Sequence, residues 1–365
     1  MKLTKSLPLW IITSSLAVTL PGNAELIFGL EEKTGPFPTF TPFNVLFTFD
    51  SASPGVTTNI GNVTGVVAGQ TLVGMDFRPA TKELVAMSYN EVTNGGYLYK
   101  VNILTGALTQ IGTGFTIPLA MGELAGEDDE SQSWAFDFNP VADLVRAINK
   151  NNENGDVRSF RLNPITGAFV LEDTKIDNSD AVFGIAYSNN VAGATSTTLF
   201  AYNDDGDLGL IGGLGGVPSP NLGQFFSIGN ADFSYGFDSG LDISGVTGVG
   251  YAASSDGLYT FETSTAAATG EFTKVGSLLG RSVIDISVDP VVPIVFYLVD
   301  VEDTKLGKVT GEGSFVAGST VKLKAKPKKG SEFLGWFEDG KRISTKLTLK
   351  IRNLAANRSL TAKFQ

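Results

Sequence analysis

Four aspartates stand at the same place in a short segment that recurs along the chain: Asp76 in GMDFRP, Asp137 in AFDFNP, Asp242 in GLDISG and Asp285 in VIDISVDP. A fifth copy, GIAYSN, has Ala186 at that place. A ring of such carboxylates could hold Ca²⁺, a hard cation that takes several oxygen ligands. It could also supply the acid and base of a glycosidase. The competing reading is structural: each Asp accepts from backbone donors at a strand end and keeps successive sheets in register. Near-identical positions favour that reading, because acid–base catalysis needs unlike environments to separate two pKa values. The expectation is therefore a structural column, with Ca²⁺ held by Asp76, Asp137, Asp242 and Asp285 as the lesser alternative. No catalytic residue and no other cofactor is assigned.

The composition narrows the chemistry further. The 365 residues include no His and no Cys. That excludes Ser-His-Asp and Cys-His catalysis, the usual zinc sites and any disulfide. Only carboxylate chemistry and oxygen-ligand metals stay open. Two other acidic clusters have plainer explanations. NDDGD at 203–207 lacks the distal Glu of a calcium loop and reads as a hairpin turn, while GEDDES at 126–131 reads as a solvated loop.

The elements that must position the aspartates are strands. A second motif interleaves with the first: LFTFD, LYKVN, SFRLN, LFAYN and LYTFE, with Phe47, Tyr99, Phe160, Phe200 and Tyr259 in one column. Its last place is always an acid or amide: Asp50, Asn102, Asn163, Asn203 and Glu262. From Phe47 to Tyr259 is 212 residues in four steps, a mean period of 53. Alternation inside a period that long predicts an array of similar sheets. Five identical aromatic places are better explained as packing between sheets than as sugar-stacking platforms. The last unit is split: 282–290 supplies only a first strand, while 25–32 and 44–61 supply the rest. Such a split closes a ring and hides its edges. The predicted fold is an all-β, five-bladed β-propeller over 25–290 with a split N-/C-terminal blade; a sixth blade is the alternative if 221–233 forms its own sheet.

The flanks differ. Lys2 and Lys5, an apolar stretch over 7–20 and small residues up to Ala24 read as a secretory signal peptide over 1–24, cleaved near Ala24. The apolar stretch is too short to span a bilayer, which takes about 20 residues, and no membrane span is expected later. The protein is expected outside the cytoplasm, extracellular or periplasmic. Residues 291–365 read as a separate small β-module. Residues 302–365 hold 14 Lys/Arg against 6 Asp/Glu, whereas 25–301 hold 11 against 32. In VKLKAKP, Lys322, Lys324 and Lys326 share one face; in TKLTLKIRN, Lys346, Lys350 and Arg352 do the same. Two cationic strand faces could bind a polyanion such as teichoic acid, lipopolysaccharide or extracellular DNA, without specific nucleic-acid recognition. The plainer alternatives are a solvated face that discourages edge aggregation, or docking onto the acidic part of the same chain.

LVGMDFRPATKELVAMS, FDFNPVADLVRAI, LNPITGAF and AGATSTTLFAYN resemble the secreted bacterial family called domain of unknown function 4394. GSFVAGSTVKLKAKPKKGSEFLGWFEDG is similar to internalin-type B-repeat modules. The first resemblance implies a secreted repeat fold and no mechanism; the second implies adhesion or spacing at a cell surface. The leading expectation is a non-catalytic binding or adhesion protein whose propeller presents ligand and whose module contacts an envelope or matrix glycan, polyanion or surface protein. The alternatives are a carboxylate-based enzyme acting on polysaccharide, and an architectural surface-layer or biofilm component. Oligomeric state is left open.

Overall fold

The computed structural model describes residues 24–365 apart from 36–40, 119–133, 151–155, 178–180, 204, 231–238, 255, 264–269, 302–304, 312, 317–319 and 353–357, and only the backbone of 291–301 and 313–316. Residues 1–23 of the signal peptide read over 1–24, and the acidic loop at 126–131, lie outside the described residues.

Each alternating segment of the sequence becomes one strand of an antiparallel sheet. The first sheet contains β1 (Glu25–Thr34), β2 (Pro42–Asp50) and β3 (Thr57–Asn62). The second contains β4 (Thr71–Phe77), β5 (Leu84–Asn90), β6 (Gly95–Val101) and β7 (Leu108–Thr116). The third is β8 (Trp134–Asn139), β9 (Leu144–Lys150), β10 (Val157–Leu162) and β11 (Phe169–Glu172). The fourth is β12 (Val182–Tyr187), β13 (Leu199–Asn203), β14 (Asp207–Ile211) and β15 (Phe225–Asn230). The fifth is β16 (Ser239–Ile243), β17 (Gly250–Ser254), β18 (Gly257–Phe261) and β19 (Phe272–Gly276). A long strand, β20 (Val283–Val301), pairs β1 through Leu30↔Asp285 and Ile27↔Val288 and so completes the first sheet.

The inner strands are buried on both faces, as β12 and β13 show along their whole length, because neighbouring sheets pack against them. Outer strands such as β3 face solvent in part. Apolar side chains gather between successive sheets. Phe28, Leu30 and Leu46 pack with Met75 and Phe77; Val85 and Leu98 with Phe136 and Phe138; Ile148 and Val157 with Val182 and Ile185; Phe200 and Tyr202 with Leu241 and Phe261. A further cluster joins the fifth sheet to the first through Tyr251, Leu258, Phe47 and Ile286. That junction also carries a polar tie. The Glu25 carboxylate accepts from Ser244 Oγ, from Thr247 Oγ1 at 2.9 Å and from Tyr251 Oη at 2.8 Å.

The acid-or-amide column has a local job. Asn102 Oδ1 accepts from Leu104 N, and Asn163 Oδ1 from Ile165 N and Thr166 N, in turns that continue into Gly106 and Gly167 at φ 74° and 70°. These are Asx turns, in which a short polar side chain stands in for a backbone carbonyl. NDDGD lies at the β13–β14 hairpin, where Asn203 Oδ1 accepts from Asp207 N.

Two expectations need correction. The stretch over 221–233 builds no separate sheet in its described part, because β15 pairs β14 as the outer strand of the fourth sheet. The aromatic column is also not one structural position. Phe47, Tyr99, Phe160 and Tyr259 lie on third strands, but Phe200 lies on β13, a second strand. Second and third strands are both enclosed by neighbouring sheets, so the same apolar pattern suits either.

Past residue 290 the same strand continues. The later half of β20 pairs β22 (Gly313–Val316) and runs parallel to β27 (Arg358–Phe364). β24 (Phe333–Glu338) pairs β27 and β25 (Lys341–Ser344). A three-stranded sheet is formed by β21 (Gly307–Thr310), β23 (Val321–Pro327) and β26 (Thr348–Ile351). The two pack around Trp336, Leu323 and Leu360, and Trp336 Nε1 donates to the Lys346 carbonyl at 2.9 Å.

Candidate functional site

The recurring segments fold as β4, β8, β12, β16 and the start of β20, strands that approach one another across the sheets. Glycine permits the approach at Gly240, where an added Cβ would sit 2.5 Å from Ile286 N, and at Gly74, 2.5 Å from Phe136 Cβ. All four aspartates are buried. Each one whose strand has a following neighbour accepts from that neighbour's backbone: Asp285 Oδ2 from Met75 N at 2.9 Å, Asp76 Oδ2 from Phe138 N at 3.1 Å, Asp137 Oδ2 from Tyr187 N at 3.1 Å, and Asp242 Oδ2 from Val288 N at 2.6 Å. Three of them also accept from the next residue of their own strand: Phe77 N, Ile243 N and Ile286 N. Ser287 Oγ, which accepts from Phe77 N, donates to Asp76 Oδ1 at 2.7 Å. At the gap, Ala186 is buried among the apolar side chains it shares with Leu241 and Ile243.

Burial raises the pKa of every member, since an ionised carboxylate loses its hydration there. Asp76 is pushed up to about 6, against bonds from Ser287, Phe138 and Phe77 that pull it down. Burial takes Asp137 and Asp242 well above the ordinary range, and the Asp76 charge adds to both. Asp285 is raised mainly by burial. Asp137 Oδ1 is buried and accepts no hydrogen bond. Among the described residues, no three acidic side chains converge as a metal cage would require.

A different feature was not singled out by the sequence reading. Between the third and fourth sheets lies a cavity of about 220 Å³, lined by the β8–β9 turn, the β12–β13 connection, the β14–β15 connection and two arginines. Arg146 is fully buried and forms its back wall. Its Nε donates to Tyr187 Oη at 2.6 Å, Nη1 to Ser159 Oγ and to Asp173 Oδ2 at 3.0 Å, and Nη2 to Asn221 Oδ1 at 2.5 Å. Asp173 bridges to the second arginine, accepting from Arg161 Nη2 at 2.7 Å. Burial works against the Arg146 charge, but Tyr187 and Asp173 outweigh it and raise the pKa. The available signal was a lone charge in the apolar run LVRAI.

The lysines split into two groups. On β23, Lys322, Lys324 and Lys326 are exposed while Val321, Leu323 and Ala325 are buried. Ladder register puts Lys322 opposite Lys350 of β26, and Lys326 opposite Lys308 of β21. Lys308 belongs to this face, although the sequence reading did not include it. Lys346 and Arg352 are exposed but lie outside β26, and Leu347 is 50% exposed, so the expected alternation fails at that end.

No curated protein matches this chain. Among solved structures it is similar to a putative 6-phosphogluconolactonase from Bacteroides uniformis (12% identity, 91% of this chain and 98% of that chain covered, TM-score 0.38). It is also similar to an exo-β-1,3-galactanase from Phanerochaete chrysosporium (10%, 93% and 92%, 0.37) and to a periplasmic gluconolactonase from Pseudomonas aeruginosa (14%, 93% and 85%, 0.36). Likeness at this level carries no argument about reaction or substrate. The divergent InlB B-repeat domain matches residues 297–365. Residues 45–287, two thirds of the chain, match the domain of unknown function DUF4394, and the protein belongs to that family.

Proposed function

We propose that this protein is a secreted, non-catalytic binding protein. A closed five-bladed β-propeller over 25–290 presents a ligand-binding face, and the module over 291–365 contacts a polyanion of the envelope or matrix. The ring reading is supported by apolar clusters between every successive pair of sheets, the fifth and first included. The non-catalytic reading is supported by carboxylates that are buried and engaged by backbone N–H groups.

The observation that carries the polyanion reading is the register of the module's outer face. Like charges directly opposite on a ladder destabilise a sheet, yet Lys322 faces Lys350 and Lys326 faces Lys308. Neighbouring cations stand about 5 Å apart across strands and about 7 Å apart along one. A flexible polyanion meets such a grid with several charges at once and relieves the repulsion. The test is retention of the full chain on immobilised heparin at rising salt, against a Lys322→Gln/Lys324→Gln/Lys350→Gln variant. The variant is expected to elute at markedly lower salt. No salt-dependent retention of the parent, or unchanged elution of the variant, sinks the proposal.

A further inference from the structure

We infer that the cavity between the third and fourth sheets binds a small hydroxylated monocarboxylate of about one sugar ring in size, a sugar acid by class. The inference deepens the reading of the ring as a ligand-presenting scaffold and is independent of the lysine face.

The charge comes first. Two guanidinium groups, Arg146 and Arg161, share one carboxylate, Asp173, which is buried to 2% side-chain exposure. One positive charge is left over at the cavity wall, and a partly buried cation is stabilised by an anionic partner. Geometry then assigns the two arginines different roles. Arg146 is held on all three nitrogens by Tyr187, Ser159, Asp173 and Asn221, so it fixes the wall. Arg161 spends only Nη2 on Asp173; its Nε is buried without a partner, and 22% of its side chain remains accessible. The Nη1 and remaining Nη2 N–H groups of Arg161, unspent beside the cavity, are donors that a carboxylate accepts.

The rest of the lining fits hydroxyl groups on a small ring. Asn139 and Asn221 commit their side-chain oxygens, to Val141 N and Ala142 N in one case and Arg146 Nη2 in the other, which leaves their amide N–H groups for a ligand. Ser196 stands exposed at the mouth. Val141, Leu144 and Pro220 add apolar surface. The volume of 220 Å³ corresponds to about seven water molecules at ~30 Å³ each, room for one ring and its carboxylate. A single residual charge matches a monoanion, whereas a phosphate dianion would leave excess negative charge next to Asp173.

The experiment is isothermal titration of the full chain with glucuronate and gluconate, with glucose, acetate and inorganic phosphate as comparisons. We expect saturable one-to-one binding of a sugar acid, at least tenfold weaker binding of neutral glucose, and a raised melting midpoint with the acid present. Arg161→Gln removes the accessible donors and should weaken binding at least tenfold. Ser196→Phe, a change at the exposed mouth that leaves the core untouched, should block binding even if the arginine variant fails to fold. Neither variant should change retention on heparin, which separates failure of this site from failure of the lysine face. Absence of saturable binding by either sugar acid, binding that survives Ser196→Phe, or a preference for phosphate would overturn the assignment.

Discussion

Replacing Asp76 by Asn tests whether burial raises the pKa of the Asp76 carboxyl in the folded protein. In the folded protein Asp76 titrates near 6 rather than at its usual 3.8, chiefly because burial disfavours the ionised form. The folded state therefore holds this proton more tightly than the unfolded chain does. Its contribution to stability is fully present below pH 3.8 and is lost as pH rises through 6. A shift of that size corresponds to about 3 kcal/mol between the two limits, at 1.36 kcal/mol per unit. Asparagine does not ionise, so the variant lacks this pH dependence. It has a constant penalty instead, because one oxygen cannot serve both Phe138 N on one side and Phe77 N with Ser287 Oγ on the other. An orphaned buried donor costs about 1–3 kcal/mol. Urea unfolding followed by tryptophan fluorescence should thus find Asp76→Asn less stable than the parent at pH 4.5, with the gap closing or reversing by pH 7.5. A gap that stays constant within ~0.5 kcal/mol, or widens as pH rises, would refute the argument, because Asp76 would then be ionised in the fold at an ordinary pKa.

The other predictions concern different parts of the molecule. Millimolar Ca²⁺ should leave the melting midpoint of the full chain unchanged, since the aspartate oxygens are engaged by backbone donors; a rise of several degrees, reversed by chelator, would restore the metal reading. Gly240→Ala places a methyl against the backbone of β20, where nothing flexible can yield, and should cost about 1–3 kcal/mol or more in chemical denaturation. Trp336→Ala empties the module core and should lower its stability by about 3–5 kcal/mol, read as earlier loss of protection in hydrogen exchange over 321–364. Lys322→Glu creates an ion pair with Lys350 and should stabilise the sheet by about 0.2–1 kcal/mol while weakening heparin retention, opposite signs that a purely structural lysine face would not produce.

Much of the fold could be read from strand alternation. The Asp-bearing segments are the first strands of their sheets, and the acid-or-amide column caps turns because Asn and Asp bond readily to the backbone two or three residues on. Assignment failed where a short-range pattern has two solutions. LFAYN has the same apolar alternation as its relatives, yet it forms a second strand, because the β12–β13 connection is followed by β14 and β15 in the sheet. Nothing within five residues distinguishes those places when both lie between sheets. The stretch near 221–233 has a similar ambiguity, settled by its pairing with β14.

What the sequence determined by itself is therefore local and compositional. The absence of His and Cys limits the chemistry, alternation sets the strands, and the charge asymmetry separates an acidic repeat region from a basic end. The tertiary structure decided which distant groups share a dry environment. Asp285 meets Met75 across 210 positions of chain, and Arg146 meets Asn221 across 75. The shifted aspartates and the surplus guanidinium charge follow from that proximity and loss of water, because ionisation energies depend on the dielectric and partners around a group. Spacing along the chain records neither.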